Sequence, residues 1–483
     1  MIMATPTFMG LPAELLDEII QHSLPEGFQD LAVTCKKLYA LCKRHIEYHK
    51  RLAETFRCFS YRSSGYTEGG TAPSISLAFE LIARIAKNPR VAHYIVHANL
   101  TSDDWPHYPR ILRDMPSPDY GGPVVALFAR SPHLAEAGLD WKEFYAQIRE
   151  DHDPYAHYSQ RAAAFLLTLL PNVRTLLLPI NWEPEEDTNK LLEVVVRRAK
   201  QPNSPWKRQS LSQVTGFDPY CRKAVGSPPV DLNQSLPFLA LPNVRSFSGN
   251  SILLTSDTFM LQAPKDPYLR YGEGLKTINL EGCYFDAVGI AELLKHTPRL
   301  RVLRYSHPAR WEPPDQDWDL CNFVSAIGRE VGSHLEELCI SISGLRGAVQ
   351  PGRASMRGFQ RLRGLRLPLE FAACNIREAN GCPAECDIEP FICDLVPPSV
   401  SVLSLESIGG EQCTIALRTM FRNLATIKDS KLPALTTICI DWLGDSRLAY
   451  EYGKVCEVFA PEIEKAGVQL YFDPLPTLRN YHT

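Results

Sequence analysis

Through most of its length the chain repeats one short phrase: an apolar residue, two of any kind, apolar, any, apolar, two of any kind, then Asn or Cys. It reads most cleanly at Leu275, Ile278, Leu280 and Cys283, with earlier copies at Val91, Tyr94, Val96, Asn99 and at Val173, Leu176, Leu178, Asn181. Further copies begin at Val244, Leu300, Leu335, Leu362, Val400 and Leu435, and Val468 to Phe472 reads as a degenerate last strand. From Val244 onward the starts lie 25 to 38 residues apart, and a weak copy near Leu211-Ser-Gln-Val214 falls in the long gap before them. Self-similarity at such a period constrains architecture more than composition does. Within one unit, period-2 alternation sends Ile278 and Leu280 to one face of a strand and Thr277, Asn279 and Glu281 to the other. Helix-like segments such as Ala291 to Arg301 separate the strands. The predicted class is therefore α/β: parallel strands stacked into a wall, with helices covering one side, because a single unit cannot bury its own apolar face. A doubly wound α/β domain is the competing architecture, and the recurrence of the strand-end pattern speaks against it.

Ahead of the repeats, Leu11 to Tyr39 reads LPAELLDEIIQHSLPEGFQDLAVTCKKLY. A helix is predicted from Pro12, where a missing N–H costs nothing, with Glu14 placing negative charge in the first turn. Leu11, Leu15, Leu16, Ile19 and Ile20 recur at helical spacing. After the break at Pro25-Glu-Gly27 a second helical pattern puts Leu31, Cys35, Leu38 and Cys42 on one stripe, with Phe28, Ala32 and Tyr39 beside it. Two short helices apolar on more than one face each are too hydrophobic for a small module alone, so a partner surface is expected.

This order, Leu-Pro-x-Glu-Leu-Leu-x-x-Ile-Ile, a turn, then Asp-Leu-Ala-Val-Thr-Cys-Lys-Lys-Leu-Tyr, resembles an F-box of the fungal type; the turn, Leu24-Pro-Glu-Gly27, departs from the family's usual connection. The resemblance implies docking on the Skp-type adaptor of a cullin-RING ubiquitin ligase through Leu11, Pro12, Leu15, Leu16, Ile19, Leu31, Cys35 and Leu38. Which of these face the adaptor and which the module's own core is open from sequence, and a helical cap on a larger domain is the plainer alternative. The repeats resemble the leucine-rich repeats of F-box proteins. The expected organisation is an arm over 1–10, a helical F-box module over 11–59, a linker over 60–75 containing Ser63 to Pro73, and an irregular leucine-rich-repeat solenoid over 76–483.

With 483 residues, 45% of them hydrophobic, the chain can bury a large core, and a formal net charge of −4 supplies no footprint for nucleic acid or an anionic membrane. No stretch approaches the ~20 apolar residues that span a bilayer, and the start, MIMATPTFMGLP, lacks the features of a signal peptide. A cytoplasmic or nuclear location is expected. The 14 cysteines are scattered, which favours buried thiols over disulfides. Glycines between Ser63 and Pro73 lack the Gly-Lys-Ser/Thr ending of a phosphate loop, and neither a nucleophile elbow nor a His-Glu-x-x-His occurs.

Long insertions fall at Thr101 to Pro132, Trp182 to Ser210, Ser306 to Trp318 and Leu367 to Pro398, the second with an amphipathic helix expected over Glu186 to Lys200. Asp315-Gln-Asp317-Trp-Asp319 opens like a calcium loop, but Leu320 replaces the required Gly and Ala326 the bidentate Glu. Cys374, Cys382, Cys386 and Cys393 share one insertion and are a candidate zinc set, with reduced thiols as the alternative. No catalytic residue and no cofactor is expected. The expected role is that of a non-enzymatic substrate receptor of a Skp-cullin-F-box ligase, holding a target protein through Asn279, Glu281, Arg304, Arg366, Glu406 and Asp441 on the polar strand face. A repeat scaffold that binds the adaptor without delivering substrates is the alternative.

Overall fold

The computed structural model describes residues 8–61, 75–103, 115–150, 160–180, 182–201, 208–219, 230–255, 270–307, 317–342, 348–380, 392–407, 411–442 and 446–473. The chain forms two compact units, residues 1–220 with 241–243 and residues 221–240 with 244–483. The expected linker, Ser63 to Pro73, lies outside the described residues.

The first unit opens with three helices, α1 (Ala13–His22), α2 (Phe28–Thr34) and α3 (Lys36–Phe56). Pro12 stands immediately before α1 with extended backbone, at φ −53° and ψ 149°, a φ that the proline ring favours. The second helical pattern is not continuous: Cys35 is extended, at φ −159° and ψ 163°, and separates α2 from α3. Two β-branched residues, Val33 and Thr34, precede this break, and their stiff side chains weaken the last turn of α2. Ile20, Leu24, Phe28, Ala32 and Cys42 form the core between the three helices, with Leu31, Leu41, Ile46 and Tyr48 packed against it.

Directly after α3 the chain enters β1 (Cys58–Ser60), which straddles the expected boundary at 59 between helical module and linker, so the end of the module is strand and not helix. It pairs in parallel with β2 (His97–Asn99), β2 with β3 (Thr175–Leu177), and β3 with β4 (Gly216–Asp218). Phe59, Ala98, Leu176 and Phe217 stand in one register row and are buried. This row corrects two repeat positions. The copy expected from Val91 begins instead at Ile95, since Arg90–Tyr94 is helical, and its phrase runs Ile95, Ala98, Leu100, Asp103. Asp103 takes the terminal polar place, its Oδ1 accepting from the Ala78 amide at 2.9 Å. The weak copy near Leu211 begins at Val214, three residues later, so that Phe217 points inward.

The second unit contains β5 (Val230–Asp231), β6 (Ser246–Asn250), β7 (Ile252–Leu254), β8 (Thr277–Glu281), β9 (Tyr284–Phe285), β10 (Val302–His307), β11 (Glu337–Ile342), β12 (Gly364–Pro368), β13 (Val402–Ser407), β14 (Thr437–Trp442) and β15 (Gln469–Asp473). A large parallel sheet takes β6, β8 and β10 to β15 in chain order, and β5, β7 and β9 form a short second one. Phe247, Ile278, Leu303, Leu338, Leu365, Leu403 and Ile438 make a continuous buried row across seven of the strands. The turns into β8 and β10 to β14 repeat one hydrogen-bond device. The Arg301 carbonyl accepts from the Glu336 and Glu337 amides at 2.8 and 2.9 Å, and the carbonyls of Arg245, Lys276, Glu336, Arg363 and Ser401 do the same for their following neighbours. Cys283, the terminal residue of the cleanest phrase, lies buried with its Sγ 3.5 Å from the Gly249 carbonyl and 3.4 Å from the Ile252 amide, which donates to it. A compact sulfur there satisfies backbone groups that the turn would otherwise orphan.

Helices Ala287–Lys295, Leu320–Val331 and Leu369–Asn380 connect successive strands. The first packs so close to β7 that a Cβ on Gly289 would fall 2.2 Å from the Leu254 carbonyl oxygen. The observed architecture is thus mixed α/β with a large parallel sheet, and β8 and β10 to β14 carry the alternation read from the sequence. In the first unit, the amphipathic helix of the second insertion runs Glu186–Ala199.

Candidate functional site

Apolar side chains exposed on a soluble fold are informative when they cluster. Among the described residues eleven large hydrophobic side chains are exposed, and five of them, Phe8, Leu15, Ile19, Val33 and Tyr39, fall on the first three helices and the short turn before them. Leu15 and Ile19 stand one turn apart on the same face of α1 and retain 46% and 36% of their accessible area. The eight residues expected to bind the adaptor divide by burial. Leu16 and Leu38 are fully buried and hold the module's own core; Leu11, Leu31 and Cys35 are half-buried; Pro12, Leu15 and Ile19 face outward. Phe8, Val33 and Tyr39 were not among the residues expected to bind the adaptor. Nothing in the local sequence marked Val33 as the exposed neighbour of Ala32, because adjacent helix positions diverge by only about 100° and both can be buried, as Leu191 and Leu192 are.

Polar bonds hold α1 against α3 on the side of α1 away from Leu15 and Ile19. Asp17 accepts from Gln21 Nε2 at 3.0 Å, lies 2.7 Å from His45 Nε2 and contacts the Arg44 guanidinium. The His45 bond, ahead of those from Gln21 and Arg44, keeps the Asp17 carboxyl below its ordinary range against the opposing effect of burial. Further bonds tie the helices to the rest of the first unit. His49 Nδ1 lies 2.9 Å from the Tyr94 hydroxyl, Asn88 Nδ2 donates to the Tyr48 hydroxyl at 2.8 Å, Arg90 donates to Gln21 Oε1 at 3.2 Å, and Arg208 pairs with Glu26 at 2.8 Å. Burial lowers the His49 pKa and raises that of Tyr94 to about 12, so both groups meet as neutral partners at neutral pH.

The second unit presents the strand face opposite the buried row. Asn279, Arg304, Cys339, Arg366, Ser404 and Cys439 occupy consecutive register positions on β8, β10, β11, β12, β13 and β14. Of the six residues expected to hold a target, three converge: Arg366 pairs with Glu406 at 2.9 Å and with Asp441 at 3.5 Å. Glu406 is only 5% exposed, and burial raises its pKa while Arg366 opposes the rise. Arg304 pairs instead with Glu337 at 2.9 Å, while Asn279 is half-buried and Glu281 exposed. The Cys339 thiol is pushed up to about 12, chiefly by burial, which makes it a neutral packing group and a poor nucleophile.

The carboxylates of the calcium-like stretch have backbone duties: Asp317 Oδ1 accepts from the Ala348 amide at 2.8 Å and Asp319 caps Leu320–Val331 through the Asn322 amide at 2.9 Å. Asp315 lies outside the described residues. Of the candidate zinc ligands, Cys382 and Cys386 also lie outside them, Cys393 is half-buried, and Cys374 is buried against Cys321 with 3.4 Å between sulfurs. Among the described residues no three His, Cys, Asp or Glu side chains are grouped to hold a metal, and no helix is long and apolar enough to cross a membrane. No family model matches the chain, and no curated protein matches it.

Proposed function

We propose that this protein is a substrate-recognition subunit of a Skp-cullin-F-box ubiquitin ligase, working in the cytosol or nucleus without catalytic residues of its own. The observation that carries the reading is the concentration of exposed apolar side chains on α1 to α3, in a stretch whose residue order resembles an F-box. In this reading Pro12, Leu15, Ile19, Val33 and Tyr39 meet the adaptor, and Leu16 and Leu38 keep the helices in place beneath them. The parallel strands form the wall of a leucine-rich-repeat-like solenoid, with Asn279, Glu281 and Arg304 as the polar residues best suited to a target. Arg366, Glu406 and Asp441 then serve first as an ion network within the wall. Holding the target near the ubiquitin-loaded enzyme raises its effective concentration, and that positional effect is the whole of the protein's contribution to transfer. The reading is tested by mixing the purified chain with recombinant Skp-type adaptor and measuring complex formation by calorimetry and size-exclusion chromatography. A one-to-one complex is expected, and absence of binding at micromolar concentrations would overturn the proposal.

A further inference from the structure

In the second unit the helices that follow β10 and β12 bring a thiol each to one buried point. Cys321 lies in the first turn of Leu320–Val331 and Cys374 within Leu369–Asn380; both are 2% exposed, and their sulfurs are 3.4 Å apart. The two residues are 53 positions apart in sequence, so the fold alone makes them neighbours. A disulfide requires its sulfurs at ~2.05 Å, and the remaining gap is of the size that side-chain torsion spans. Cys374 directs its Sγ to the Phe371 carbonyl at 3.3 Å, within its own helix. Cys321 stands instead in the first turn of its helix and ionises only when the interface between the helices opens to water.

We infer that Cys321 and Cys374 form an oxidisable pair, a modification site at which a hydroperoxide links the two helices through a disulfide. The Cys321 thiolate attacks the terminal peroxide oxygen. The O–O bond breaks, an alcohol (or water, from hydrogen peroxide) leaves, and Cys321 becomes a sulfenic acid. The Cys374 sulfur then attacks the sulfenic sulfur; the S–S bond forms, the S–O bond breaks, and hydroxide leaves with the Cys374 proton as water. Two thiols thus lose two electrons, and the peroxide takes up both. Access requires transient opening of the interface between the helices, so the reaction is slower than that of an exposed thiol such as Cys58. The bridge clamps the helix after β10 to the helix after β12 and is independent of any adaptor.

The test uses the full chain. Exposed thiols are first capped briefly with iodoacetamide under native conditions, and the protein is then treated with hydrogen peroxide and examined by intact mass and non-reducing peptide mapping. The expected result is loss of two hydrogen atoms, a reducible peptide pair joining Cys321 to Cys374, and a higher thermal midpoint that dithiothreitol reverses. In Cys374→Ala the sulfenic acid on Cys321 is expected to persist and be captured by dimedone. Unchanged mass, a bridge between other cysteines, or oxygen added to both thiols without a bridge would overturn the inference. Mapping of the unaltered protein decides the pairing even if the variant fails to fold.

Discussion

Replacing Leu15 and Ile19 together by Ala separates the binding role of the N-terminal helices from their folding role. Full burial of a Leu or Ile side chain contributes roughly 1.5 to 3 kcal/mol, and only the part still exposed is left for a partner to cover. With 46% and 36% of their area remaining, the pair offers about 1.2 to 2.5 kcal/mol to binding, which is roughly 8- to 60-fold in affinity for the adaptor. The same change leaves the core of α1 to α3 largely intact and places Ala at two helical positions, where its propensity is favourable. Leu16→Ala is the counterpart, because Leu16 is fully buried and its truncation costs about 2 to 5 kcal/mol of stability. Adaptor affinity is read by calorimetry and helix content by circular dichroism on each variant. Reduced affinity with unchanged helicity in the double variant, and loss of stability in Leu16→Ala, is the expected pattern. Affinity within twofold of the unaltered protein for Leu15→Ala with Ile19→Ala would refute the assignment of that face to a partner.

Arg366→Ala should lower stability by about 2 to 4 kcal/mol in urea titration, since it leaves Glu406 buried without its cation; a midpoint shift no larger than that of Arg304→Ala would contradict this. His307 is fully buried, stacked 3.9 Å from Trp318, and burial lowers its pKa to about 3. Its pKa is thus lower folded than unfolded, so the unfolded chain takes the proton first. Stability is complete above about pH 6.5 and falls toward pH 3 at about 1.4 kcal/mol per pH unit from this group. The stability difference between His307→Phe and the unaltered protein should therefore change with that slope, and a constant difference would remove His307 as the cause. Gly289→Ala forces a methyl into the Leu254 carbonyl and should cost about 1 to 3 kcal/mol, read as a lower thermal midpoint.

Strand phase was legible wherever the inward positions carried large aliphatic groups. Ile278, Leu303 and Ile438 announced their strands because alternation of bulky and polar residues has no helical counterpart. It failed at β2, where the inward residue is Ala98 and a preceding helix offered Val91 and Tyr94, with Val96 just beyond it, as a better apolar match. It missed β1 because Phe59 stands at helical spacing from Leu52 and Phe56 of α3 although it already lies in the sheet. The helices of the candidate surface were visible, yet their periodicity could not show which apolar side is covered: Leu15 and Leu16 are adjacent in sequence and opposite in burial. Charge pairing was equally hidden. Arg366, Glu406 and Asp441 meet only because β12, β13 and β14 lie in register, a long-range fact that no local spacing encodes. The same holds for Cys321 beside Cys374.

The Arg57 residue ends α3 and its carbonyl accepts from the Val96 and His97 amides at 3.1 and 2.9 Å, where β2 begins. A helix that hands its backbone straight to a sheet has no swivel at the junction. Whatever sits on α1 to α3 is consequently aimed relative to β1 and β2 as a tool head is aimed by its shaft, through this junction together with the bonds of Gln21, Glu26, Tyr48 and His49 to the rest of the unit. Exchanging these helices for those of another protein at residue 57 would therefore reset that angle, because the junction and those four contacts would change together.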